Sequence, residues 1–205
     1  ATRNSKVKVA SVAGAFPSGL STIEARTADI SDAVKRGADE IDIVLNRSAF
    51  LSGDEQRAFE EIVASKDACG EAHLKVILEV GELGSYDKIR QASMLAMAAG
   101  ADFIKTSTGK IPQASSLPRV LCMAEAVRDF AYQTNISVGI KAAGGIRTAK
   151  QAWHYLVVIG ETLGSEWLNP EMFRIGASGL LNDVLLQLNR LDSGSYSGPD
   201  YVTVD

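Results

Sequence analysis

Cysteine is scarce in this 205-residue sequence, which has only Cys69 and Cys122. The two have neither metal-ligand spacing nor the density of a secreted disulfide scaffold, and both read as reduced thiols on helices. Histidine is equally rare. His73 and His154 are not spaced to share a metal with each other or with a cysteine, so no metal site is expected. No apolar run approaches the roughly 20 residues of a membrane span. The opening Ala1-Thr2-Arg3-Asn4-Ser5-Lys6 lacks the apolar stretch of a signal peptide. Long blocks of like charge are absent, and the net charge is −4, so no global basic field favours nucleic acid. No Walker motif, GxGxxG fingerprint or serine-nucleophile elbow occurs. Trp153 and Trp167 read as packing residues. A soluble, reducing compartment, the cytoplasm, is the expected setting, and local basic sites could still bind a phosphorylated metabolite.

What is present is a rhythm. Short runs rich in β-branched residues lie at 7–12, 40–45, 74–79, 102–107, 136–141 and 172–176. Amphipathic segments at 21–36, 54–69, 85–98, 117–132, 148–163 and 178–191 alternate with them. The strand runs are nearly continuously apolar, as expected when both faces are covered. Ser21-Thr22-Ile23-Glu24 has the spacing of a capping box, and Gly37, Gly70 and Gly100 sit where helices should stop. Such alternation means parallel strands joined by right-handed crossovers. The repeat of roughly 30 residues suits a (β/α)₈ barrel, but a complete one needs about 250 residues and eight units. This sequence has six. It is either a barrel lacking two N-terminal units or an open α/β sheet. Residues 1–191 are expected to form the (partial) barrel domain. Residues 192–205, with Ser-Gly-Ser-Tyr-Ser-Gly-Pro-Asp, are expected to be a flexible tail.

Parallel α/β proteins carry their sites at the C-terminal ends of strands. The fourth run places Lys105 in an apolar stretch, where desolvation favours a neutral, nucleophilic amine. A lysine snorkelling to the barrel mouth would also explain Lys105 alone. The fifth run places Lys141 at the matching position, about 4.8 Å away if the strands are neighbours. Two cations so close should help one to lose its proton. Asp42 lies in the second run, where a lone carboxylate would be costly unless paired, and lysines across the barrel could pair it. A purely structural ion pair is the competing reading. Asp39 and Glu40, at the start of that run, read as solvated. Gly144-Gly145 and Gly176-Ala177-Ser178-Gly179 follow the last two strand runs, where free backbone N–H groups bind phosphate well.

Together these stretches resemble the deoxyribose-phosphate aldolase family across nearly the whole chain. The most specific parts are Lys105-Thr106-Ser107-Thr108-Gly109-Lys110 and Lys141-Ala142-Ala143-Gly144-Gly145-Ile146-Arg147. Gly70-Glu71-Ala72-His73-Leu74-Lys75 and Asn46-Arg47 are nearest to the eukaryotic type. The resemblance implies a TIM (β/α)₈ barrel that reversibly cleaves 2-deoxy-D-ribose 5-phosphate to D-glyceraldehyde 3-phosphate and acetaldehyde, in deoxyribonucleoside catabolism. It implies Lys105 as the Schiff-base nucleophile, Lys141 as its activating partner and Asp42 as the general acid/base. It implies substrate and phosphate contacts at Thr106, Gly109, Lys110, Gly144, Gly145, Arg147, Gly176 and Ser178. No metal or cofactor is implied.

Three departures stand out. The family begins with strand–helix units that this sequence does not include. Ala142 stands where many members have proline, and Gly179 where many have a hydroxyl residue. Some members also place a C-terminal tyrosine over the site, a role for which Tyr196 and Tyr201 are the candidates. The rival readings are an inactive fragment needing an N-terminal part, or another copy of itself as a homo-oligomer, to close; a barrel enzyme that forms an enolate without an imine; and a phosphosugar-binding module without chemistry.

Overall fold

A computed structural model describes residues 5–112, 115–196 and 198. Six strands, β1 (Ala10–Val12), β2 (Glu40–Val44), β3 (His73–Ile77), β4 (Phe103–Lys105), β5 (Gly139–Ala143) and β6 (Phe173–Gly176), form one sheet in sequence order. Every pairing is parallel. The connecting helices are α1 (Ile23–Lys35), α2 (Arg47–Leu51), α3 (Glu55–Cys69), α4 (Tyr86–Ala98), α5 (Leu117–Thr134) and α6 (Ala149–Leu163), and α7 (Leu180–Ser193) follows β6. This is a part of a TIM barrel, six consecutive βα units with β1 and β6 as its edges.

Each expected strand run and long helix is present, with ends shifted by a few residues. Chemistry at the helix ends explains the boundaries. The cap of α1 is Thr22, whose side chain accepts from the Ala25 N–H; alanine at that third position cannot complete a box, so the one expected from Ser21 to Glu24 does not form. A full capping box does form at α6, between Thr148 and Gln151. Positive φ at Gly37, Gly70 and Gly100 closes α1, α3 and α4.

Side chains alternate across the sheet. Ile41, Ile43, Leu74, Val76, Ile104 and Ile140 are fully buried and join Ile30, Ile62, Ala92 and Met123 of the helices in one core. Burying each large aliphatic side chain is worth roughly 1.5–3 kcal/mol. The alternate positions carry Glu40, Asp42, Lys75, Lys105, Lys141 and Arg174 beside Val44, Ile77 and Phe103, so the opposite face of the sheet sets charged groups among apolar ones. Central strands are covered on both faces, whereas β1 is largely exposed and β6 only partly buried. α7 has an apolar stripe yet buries no residue fully, and Leu181, Leu188 and Leu191 stand in the open.

Several expectations change. Trp153 is 64% exposed and does not pack in the core, because it lies on the outward face of α6. Trp167 does pack there, and its Nε1 donates to the Val138 carbonyl. α7 continues to Ser193, two residues past the expected end of the domain at Leu191. Tyr196 lies over the Arg190 guanidinium and bonds it through its hydroxyl. Tyr201 falls outside the described residues. Among the described residues, no helix is long and apolar enough to cross a membrane.

Candidate active site

The sheet register brings the expected groups together. Lys105 and Lys141 are direct register partners on β4 and β5. Asp42 comes from β2, with Lys75 of β3 as its register partner. Lys105 Nζ donates to Asp42 Oδ2 at 2.7 Å, and Lys141 Nζ donates to the same oxygen at 2.8 Å. Lys75 Nζ takes the other oxygen, Oδ1, at 3.0 Å. One carboxylate therefore holds three ammonium groups.

Lys75 was not foreseen as part of the site, although it too is a lysine in an apolar run. It is fully buried and also contacts Glu40 Oε2 at 2.6 Å. Glu40 in turn meets Arg174 of β6 at 3.0 Å. Glu40 is 1% exposed, which corrects the expectation that it is solvated. Its burial is sustained by Lys75 and Arg174, both distant in sequence. Asp39 does remain exposed, and accepts from the Val9 N–H. A ladder of alternating charge thus runs Arg174–Glu40–Lys75–Asp42 and ends on the amines of Lys105 and Lys141.

Electrostatics follow from this geometry. Burial is the largest influence on Asp42 and pushes its pKa up, but Lys105, Lys141 and Lys75 together outweigh it. Asp42 is held well below the usual carboxylate range. The Lys105 pKa is lowered, first by burial and then by the charges of Lys141 and Lys75, while Asp42 opposes them. Lys105 is thereby brought nearer to its neutral, nucleophilic form. Cys69 is unsuited to nucleophilic work, since burial pushes its thiol up to about 11.

Above the lysines opens a cleft of about 610 Å³. Lys105, Thr108 and Gly109 line it from β4 and the loop after it; Lys141, Gly144, Gly145 and Arg147 from β5 and its loop; Gly176, Ser178 and Gly179 from β6 and its loop. Gly144 and Gly145 have positive φ, which turns the backbone at the end of β5 into an amide-bearing bend. Gly176 is required by space. A Cβ there would stand 2.9 Å from the Ala143 Cβ and 3.2 Å from the Lys141 Cε. Two expected contacts lie outside the cleft lining. Thr106 is buried, and its hydroxyl both donates to the Ala143 carbonyl and accepts from the Ala143 N–H, stitching β4 to β5. Lys110 is exposed beyond the rim. A larger groove of about 910 Å³ lies outside the sheet among α3, α4 and α5, away from the strand ends and these lysines.

A partial parallel barrel thus carries paired lysines on one buried aspartate, below a glycine-lined cleft. Residues 2–182 match the family described as DeoC/LacD family aldolase, and the chain belongs to that family. More particularly, it is 48% identical over 191 residues to the deoxyribose-phosphate aldolases of Mus musculus and Homo sapiens. Those alignments take in 93% of this chain but 60% of each relative, so the chain spans about three fifths of their length. The tetrameric deoxyribose phosphate aldolase structure from Aeropyrum pernix superposes with a TM-score of 0.68 at 26% identity, covering 90% of this chain and 69% of that one.

Proposed function

We propose that this chain carries the catalytic portion of a Schiff-base aldolase that reversibly cleaves 2-deoxy-D-ribose 5-phosphate. The observation that carries the reading is the sharing of Asp42 Oδ2 by Lys105 and Lys141 beneath the cleft. The relatives named for this activity support it.

The neutral Lys105 amine adds to C1 of the open-chain sugar, and loss of water gives a protonated imine. A base takes the C3 hydroxyl proton. The C2–C3 bonding pair flows into the iminium, releasing glyceraldehyde 3-phosphate and leaving an enamine. Protonation at C2 and addition of water release acetaldehyde and restore the amine. Asp42, Lys141 and bound water move these protons. The iminium is the electron sink, so the scheme calls on no cofactor. Gly144, Gly145, Gly176, Ser178, Arg147 and Gly109 hold the phosphate, fixing C1 against Lys105. Thr106 serves by joining β4 to β5.

The open edges at β1 and β6 carry a second reading, a phosphosugar-binding chain that turns over only once its barrel is closed. Closure could come from further βα units or from another copy, as a homo-oligomer. The setting is cytoplasmic in either case.

Borohydride trapping with acetaldehyde or the sugar phosphate, followed by intact mass and peptide mapping, tests the first reading. A stable adduct on Lys105, lost in a folded Lys105→Leu variant, is expected. Binding without an adduct favours the second reading.

A further inference from the structure

Glu79 is a buried carboxylate that the proposed reaction does not use. It follows β3, is 1% exposed, and has a left-handed backbone with φ of 55°. Non-glycine residues rarely adopt that conformation unless their surroundings hold them in it. Here the neighbours do so. The Leu78 N–H donates to the Lys105 carbonyl and the Val80 N–H to the Thr106 carbonyl, extending β3–β4 pairing past the nucleophile.

The turn at Glu79 directs its carboxylate at the loop after β4. Oε1 accepts from the Thr108 N–H at 3.1 Å and Oε2 from the Thr108 hydroxyl at 2.5 Å. The Thr108 Oγ1 accepts in turn from the Lys110 N–H at 3.1 Å. Among the described residues, both hydrogen bonds to this carboxylate come from Thr108, and no cation pairs with it. A buried carboxylate is costly without partners, so its two bonds to Thr108 are strongly favoured. Thr108 and Gly109 line the cleft, and a Cβ at Gly109 would meet nothing within 4 Å. The clamp therefore acts on the side of the cleft where the loop offers bare backbone.

We propose that Glu79 is a positioning residue for the phosphate end of the site, acting through Thr108 to fix the turn from Thr108 to Lys110. This rests on the aldolase reading for its substrate, but the clamp can be tested without turnover. A scaffold residue of β3 would affect all substrates alike. A residue that sets the phosphate-side turn discriminates between sugars with and without the phosphate.

The test compares wild type with Glu79→Ala and the near-isosteric Glu79→Gln, each checked for folding by thermal melting. Turnover is measured on 2-deoxyribose 5-phosphate and on unphosphorylated 2-deoxyribose, and inorganic phosphate binding by NMR titration. For Glu79→Ala, kcat/KM on the phosphorylated sugar should fall about tenfold or more, through KM, as for loss of a charged hydrogen bond. The value on the unphosphorylated sugar should hold. Phosphate affinity should weaken in step, and Glu79→Gln, which keeps one acceptor oxygen, should fall between. Equal losses on both sugars would overturn the proposal, as would unchanged phosphate affinity in folded Glu79→Gln. If wild type turns over neither sugar, weaker phosphate binding in the variants still supports the clamp, and the aldolase reading falls alone.

Discussion

The Lys75 ammonium stands 2.6 Å from the Glu40 carboxylate, with almost no solvent at either side chain. Breaking a buried pair by removing one partner strands a charge, and costs about 3–5 kcal/mol. Lys75→Met should lose stability on that scale in urea unfolding. A loss below about 1 kcal/mol, the range of exposed pairs, would contradict the pairing.

Lys141 bears on the acid–base state of Lys105. Its charge helps to lower the Lys105 pKa, so Lys141→Leu should raise it. The neutral amine then appears only at higher pH, and a tenfold weaker acid has about a tenfold smaller neutral fraction at neutral pH. Borohydride trapping measured against pH should move upward in the variant. An unmoved profile would show that the two amines are not coupled.

Asp42 ties stability to acid pH. Its folded pKa lies below an unfolded value of about 3.9. The stabilisation is therefore complete above the unfolded value and is lost as pH falls through the depressed folded one. Asp42→Asn should be less stable than wild type at neutral pH, with the gap narrowing below about pH 4. Denaturant midpoints across that range decide it, and a constant gap would refute the linkage.

Gly176→Ala should displace Lys141, because the new methyl would crowd both the Ala143 Cβ and the Lys141 Cε. Overpacking of this kind costs about 1–3 kcal/mol. Slower turnover should accompany the loss in melting temperature. Full turnover with lowered stability would place the strain on Ala143 alone.

Much of this was legible in the residues. The six strand runs and the six long helices follow from apolar patterning and from glycines at helix ends. The lysine pair was readable because parallel order puts consecutive strands side by side. α2 was not, since five residues are too few to show a helical period. Lys75 and Glu40 were missed because their burial depends on charged partners more than thirty residues away, a relationship no local pattern encodes. Thr106 shows the converse. Its motif suggests a ligand contact, while its neighbour across the sheet takes up the hydroxyl.

The charge ladder has one end at the boundary of the sheet. Arg174 lies on the edge strand β6, and its side chain is a quarter exposed. Water at that edge weakens its hold on Glu40 through the local dielectric, and a dry covering strengthens it. Such a change would pass through Lys75 to Asp42 and the amines without any atom near the substrate being replaced. On the proposed mechanism, the medium along β6 would thus bear on the charges around Lys105, two strands away.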